Sequence, residues 1–230
     1  MRKALKILLI LLLAVLVLAA AYVVYVFLAY HRIPDNQTLT VENPVSETLR
    51  PGGTYRALSY NIGFGAYEDD YSFFMDGGTE SWAWSEERLK ENLDEIAALL
   101  QKEDADFYLL EEVDVDATRT YHFDESAVLR SALSDRTCVY AQNYDSPFLL
   151  YPFTQPHGAS KAGMLTFSRY AITSTLRRSL PIEGGFWKFL DLDRCYSVCR
   201  LPVENGRELV LYTLHLSAYS ADGSISVEQL

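Results

Sequence analysis

Ile7 to Ala29 is a run of 23 residues without a charge, and no other feature restricts the chain as much. As an α-helix rising about 1.5 Å per residue it would be on the order of 35 Å long, enough to cross a bilayer core of roughly 30 Å. The segment is read as a transmembrane anchor. A cleaved signal peptide is the rival reading, because Ala19, Ala20 and Ala21 resemble a small-residue cleavage site. The apolar run continues past them through Tyr22-Val-Val-Tyr-Val-Phe-Leu28, longer than a signal peptide's apolar core, which favours the anchor. Arg2, Lys3 and Lys6 make residues 1–6 a basic tail. The positive-inside rule then predicts a single-pass protein of the cell membrane, with the N-terminus cytoplasmic and the rest extracellular.

Beyond the anchor there is room for one domain of ordinary size. Three of the 20 basic residues precede residue 31, which leaves 17 against all 31 acids. Such a surface does not suit a protein that grips nucleic acid through a broad basic face. It leaves open a small anionic substrate held by a metal. Cys138, Cys195 and Cys199 are too few for a disulfide framework. On one strand Cys195 and Cys199 would stand roughly 13 Å apart, too far to bridge, so all three are read as small buried hydrophobes.

Residues 30–53 hold Pro34, Pro44, Pro51, Gly52 and Gly53 among polar neighbours and show no sustained apolar period. They are read as a linker that lets a domain over residues 54–230 stand off the membrane. The domain opens with TYRALSYNIGFG, whose alternation predicts a strand of about seven residues stopped at Gly63 and Gly65, with Asn61 at its mouth. A loop of aromatics follows, from Tyr67 to Trp84. It either walls a site or packs on the domain. Ser85 is a plausible N-cap for a helix whose Leu89, Leu93, Ile96, Ala97 and Leu100 recur at helical spacing.

That helix runs into Phe107 to Asp114, FYLLEEVD, an apolar strand ending in three carboxylates. A carboxylate at the mouth of a buried strand is costly unless something positive meets it. Glu111 and Glu112 either serve a divalent cation or mark where the strand reaches solvent. Further on, a short helix is expected over 125–133, the aromatic, turn-rich CVYAQNYDSPFLLYPFTQPHG cannot be a long helix because of Pro147, Pro152 and Pro156, and Asn143 either lines a cleft or turns the chain. Arg119 and His122 face either a phosphate or solvent. GMLTFS, with Arg169 just beyond it, reads as a strand. Asn205-Gly206 between 194–201 and 208–216 is a hairpin signal, and the second arm, ELVLYTLHL, is apolar on both faces, as in a strand covered from both sides. His215 near its end is by itself either a core residue or a functional one.

Taken together, SYNIGFG, DADFYLLEEVD, GMLTFSRY and LVLYTLHLSAY resemble the endonuclease/exonuclease/phosphatase family of metal-dependent phosphoesterases. The resemblance runs from about Tyr55 to the last residue. It implies an α/β fold, a four-layer α/β/β/α sandwich preceded by one transmembrane helix. It further implies Mg²⁺ (or Mn²⁺) held by Glu112 and Asn61, with Asn61 and His215 catalytic, and with Arg169 and Asn143 contacting substrate. Glu111 stands where the family has Gln. The substrate would be a phosphoester in nucleic acid, a phospholipid headgroup or a sugar phosphate, and no protein partner is predicted.

The family's later Gly-Asp-Phe-Asn and Asp-His motifs do not occur in these 230 residues. The expectation is therefore an N-terminal portion, incomplete at the C-terminus and with little or no activity in this form. The competing expectation is a non-catalytic extracellular binding module that uses the aromatic loop 67–84.

Overall fold

The computed structural model describes residues 2–182, 192–217 and 224–230. The chain forms two units, residues 1–31 and 32–230. The first contains helix α1, Arg2–Ala29, which is long and apolar enough to cross a membrane, a property that signal sequences share.

In the second unit, strands β1 (Val41–Glu42), β2 (Ala57–Asn61), β3 (Phe107–Ala117), β4 (Thr137–Asp145) and β5 (Ser160–Ser168) form a mixed sheet in the order β1-β4-β5-β3-β2. Strands β6 (Ser174–Ser179), β7 (Cys195–Pro202) and β8 (Glu208–Leu214) form an antiparallel sheet in that order. Helices α2 (Glu86–Glu103) and α3 (Glu125–Ala132) cover one face of the first sheet, and α4 (Ser224–Gln229) ends the chain. Alternation along β3 builds the layers. Tyr108 and Leu110 turn toward Leu89, Leu93 and Leu100 of α2. Phe107 points the other way, into a cluster with Val139, Cys199 and Leu201 that joins the two sheets.

Local chemistry explains the elements that the sequence predicts well. Ser85 caps α2 by accepting from the Arg88 N–H at 3.1 Å. Asp124 does the same for α3 from Ala127 at 3.2 Å. Gly206 takes φ of 78° in the β7–β8 turn, where a side chain would be strained. The three cysteines are buried and unpaired with one another.

Two expectations fail on long-range grounds. Residues 30–53 are not a tether from Arg32 onward. Gln37 pairs with Arg177, β1 adds to the edge of β4, and Leu49 is buried and bonds to Pro202 and Glu204 across the sandwich edge. The prolines that suggest a linker are compatible with a strap whose partners are supplied by other elements. The second hairpin arm is likewise not covered on both faces, since Leu209, Tyr212 and Leu214 of β8 remain exposed. It packs inward through Leu211, against the cluster between the sheets, and through Thr213, whose hydroxyl lies 2.6 Å from that of Thr166 on β5.

The aromatic loop is mostly spent on the core. Phe64, Tyr71 and Phe73 are buried edge to face, and His157 packs on Phe73 and Phe74 at 5.8 and 5.6 Å. Burial, and next the Arg119 guanidinium, hold the His157 imidazole down at about 3 against an ordinary 6.5. The unfolded chain therefore binds a proton that the fold refuses, and stability falls as pH drops from 6.5 toward 3, by up to about 1.4 kcal/mol per pH unit from this group. Replacing His157 by Phe is expected to flatten that part of the acid limb. Thermal midpoints of both proteins between pH 7 and 4 measure it, and parallel curves would refute it.

Candidate active site

The chemistry of the site begins with a break in the pattern of β3. Leu110 pairs with Leu165 but Val113 pairs with Gly163, so Glu111 and Glu112 together oppose the single residue Met164. Glu112 adopts φ of 55°, a left-handed conformation that costs a residue with a side chain about 1–2 kcal/mol. The bulge shifts the parity of the strand. Val113 takes the place toward the helices that regular alternation assigns to residue 112, and Glu112 is turned to the sheet rim.

At the rim Glu112 is met from two sides. Asn61, at the end of β2, donates from Nδ2 to Glu112 Oε1 at 2.8 Å and accepts the Gly63 N–H at 2.9 Å. His215 Nε2 lies 3.4 Å from the same carboxylate oxygen. Asn143 sits in a second bulge, between Gln142, which pairs with Gly163, and Tyr144, which pairs with Ala162. Its Nδ2 is 3.5 Å from His215 Nδ1. Both bulges straddle Gly163, where a Cβ would come within 2.5 Å of the Ala141 carbonyl and 2.6 Å of the Tyr140 ring. Only glycine lets the strands close here.

Four of the five predicted residues, Asn61, Glu112, Asn143 and His215, therefore come together from four strands or strand ends. Arg169 does not join them. It follows β5 at the opposite end of the sheet, with its Nη2 2.6 Å from Asp104 Oδ1 and its backbone N–H on Asp106. Ser168 pairs with Phe107, and five residues of strand separate Phe107 from Glu112, roughly 17 Å. The assignment of Arg169 to a phosphate contact is thus corrected. Its position after a strand end carries no information about which end of the sheet that is. His122 is at the surface beside Asp116, whereas Arg119 is buried on Asp114.

The electrostatics of the rim are anionic. Burial raises the Glu111 pKa, its hydrogen bond from Ser59 opposes this, and the charge of Glu112 adds to the rise. Burial, and then the Arg194 guanidinium, push the His215 pKa down to about 3, so its imidazole is neutral. With Asn143 Nδ2 donating to Nδ1, the ring proton is assigned to Nε2, facing Glu112. Arg194 and Tyr67, which also feels the Glu112 charge and hydrogen-bonds Asp76, are the site neighbours that the sequence reading missed. The sequence offers only an Arg directly before an apolar, strand-like run as a signal for the first, and its burial is known from the fold alone.

Residues 58–225 match the sequence model of the Endonuclease/Exonuclease/phosphatase family. The chain belongs to this family. Among solved structures, an endonuclease/exonuclease/phosphatase from Beutenbergia cavernae superposes with a TM-score of 0.52 at 22% identity, over 76% of this chain and 42% of that one. This supports the family fold. Sphingomyelinase C from Streptomyces griseocarneus (TM-score 0.45, 17% identity, 76% of this chain and 55% of that one) and ANGEL2, a 2′,3′-cyclic phosphatase (0.47, 16%, 87% and 49%), are also similar. The chain spans less than two thirds of each of these proteins. No curated protein matches it in sequence.

Proposed function

We propose that the domain is a phosphoester hydrolase dependent on a divalent metal, anchored by α1 at the outer face of the cell membrane. The observation that carries the reading is the Glu112 carboxylate, turned out of its strand by a bulge and held between Asn61 and His215. Among the described residues there is no cluster of three or more His, Cys, Asp or Glu able to enclose an ion. A hard cation such as Mg²⁺ or Mn²⁺, which keeps several of its waters, needs no such cage. Glu112, with the Glu111 carboxylate beside it, is an oxygen donor set that fits, and a cation there would relieve the charge crowding between them. When bound, the cation neutralises charge on the phosphate oxygens.

The chain's own groups then have defined tasks. Asn61 already uses its amide N–H₂ on Glu112 and its carbonyl on Gly63, so its main part is to fix the carboxylate. His215, neutral and protonated on Nε2, turns that N–H from Glu112 to a phosphate oxygen when substrate is present, a contact that strengthens as charge develops there. Asn143 keeps the ring in that tautomer. The substrate belongs to the phosphoesters of nucleic acids, lipid headgroups or sugars. Because the water-orienting motifs of the family are not among these residues, the proposal includes low turnover by the 230-residue chain.

Calorimetric titration of the full chain with Mg²⁺ and Mn²⁺ tests the reading. Glu112→Gln is expected to weaken the cation at least tenfold, while hydrolysis of a chromogenic phosphodiester stays near background in both proteins. Equal affinity in the two would remove Glu112 as a ligand, and brisk turnover would refute the low activity.

A further inference from the structure

The connection between β4 and β5 is unlike the rest of this acidic domain. Residues 146–157, SPFLLYPFTQPH, contain no Lys, Arg, Asp or Glu, and His157 is neutral. The segment is held by its ends and flanks: Leu149 pairs with Gly158, Ser81 donates to the Gln155 carbonyl and Trp82 to that of Pro156. Its tip nevertheless presents aromatic rings to solvent. Phe153 is 81% exposed and Tyr151 63%, with their rings 5.9 Å apart, and Tyr151 stacks near Phe74, beside exposed Met75.

The edge on which this loop stands is also the edge at which the domain starts. Arg32 Nε is 2.7 Å from Asp193 Oδ1, next to Arg194 of the candidate site. Arg177 holds the carbonyls of Pro34 and Asp193 together with that of Gln142, the neighbour of Asn143. Helix α1 ends at Ala29, and the domain begins at Arg32.

We infer that the 148–153 loop is a membrane-docking surface that seats in the headgroup region of a phospholipid bilayer, with the candidate site on the same edge of the domain. This rests on the anchor reading given above. Exposed aromatic rings on a charge-free loop have the chemistry of the lipid interface, where Tyr and Phe bury their apolar bodies. A basic or acidic partner finds no complementary charge here. The site consequently faces lipid headgroups, and a headgroup phosphoester becomes the substrate class that the docking favours.

The three native cysteines are buried, so a new exposed cysteine can be labelled selectively. The full chain carrying Phe153→Cys, and separately Tyr151→Cys, is labelled with an environment-sensitive fluorophore in phosphatidylcholine nanodiscs. Asn205→Cys, in the β7–β8 turn at the far edge, is the control. Brominated acyl chains are expected to reduce emission at least twofold at 153 and 151 and to leave 205 unchanged. Emission at 153 and 151 as insensitive as at 205 overturns the docking while leaving the metal titration untouched. An intact mass lacking the helix overturns the docking together with the anchor, and again leaves the phosphoesterase reading to its own test.

Discussion

Replacing Asp114 by alanine is expected to destabilise the domain by about 3–5 kcal/mol, the usual cost of stranding one member of a buried ion pair. Asp114 is fully buried and receives two hydrogen bonds of 2.8 Å from the Arg119 guanidinium, plus one of 3.2 Å from Thr120. Burial works against the Arg119 charge, and the Asp114 carboxylate more than offsets it, leaving the Arg119 pKa raised. The guanidinium also lies 3.7 Å from the centre of the Phe64 ring. Beside this pair, Glu125 accepts the Asp114 N–H, and burial, together with the Asp114 charge, raises its pKa well above that of an ordinary carboxylate. A midpoint lowered by roughly 10 °C is the measurable result for a domain of this size. Loss of the pair as a whole, Asp114→Ala with Arg119→Met, is expected to cost less than the single change, and a single-variant loss below about 1 kcal/mol would contradict the account.

Arg177→Met is expected to be comparably severe, with a loss on the order of 3 kcal/mol or more, since hydrogen bonds from a charged group are worth roughly 1.5–3 kcal/mol each. Its side chain is fully buried and spends its donors on carbonyls from three places: Gln142 at 2.8 Å, Pro34 at 3.1 Å and Asp193 at 3.1 Å. It is the stitch that joins the strap, the first sheet and the entry to β7. The variant should therefore lose more than stability. Chymotryptic cleavage at Leu39 and Leu49, protected in the parent by pairing and burial, is expected to precede global unfolding. Cleavage and unfolding at one common midpoint in both proteins would show that the strap owes nothing to Arg177.

Much of the site was legible before any coordinates. Glu112, Asn61 and His215 each end an apolar run; the ends of the parallel strands β2 and β3 gather Asn61 and Glu112 on one edge, whereas His215 follows a strand of the other sheet and reaches them only through the packing of the two sheets. Asn143 was legible only as an alternative to a turn, and it proves to be an unpaired bulge residue beside His215. The mistaken placement of Arg169 has the same origin as the mistaken tether. Both depend on which distant segment lies alongside: Asp104 and Asp106 for Arg169, and β4, β6 and β7 for residues 35–50.

The amino-acid sequence by itself determined the apolar helix, the strand–loop–helix–strand order through β2, α2 and β3, the Asn-Gly hairpin and the membership of the family. These follow from period, capping and turn chemistry, all of which act over a few neighbouring residues. The tertiary structure alone decided where Glu112 points. An alternating pattern places residue 112 toward the helices with Tyr108 and Leu110, and only pairing with β5 across Gly163 inserts the extra residue that turns it to the rim. A bulge is set by the register of a strand with its partners, and the partners of β3 lie 50 residues away on either side.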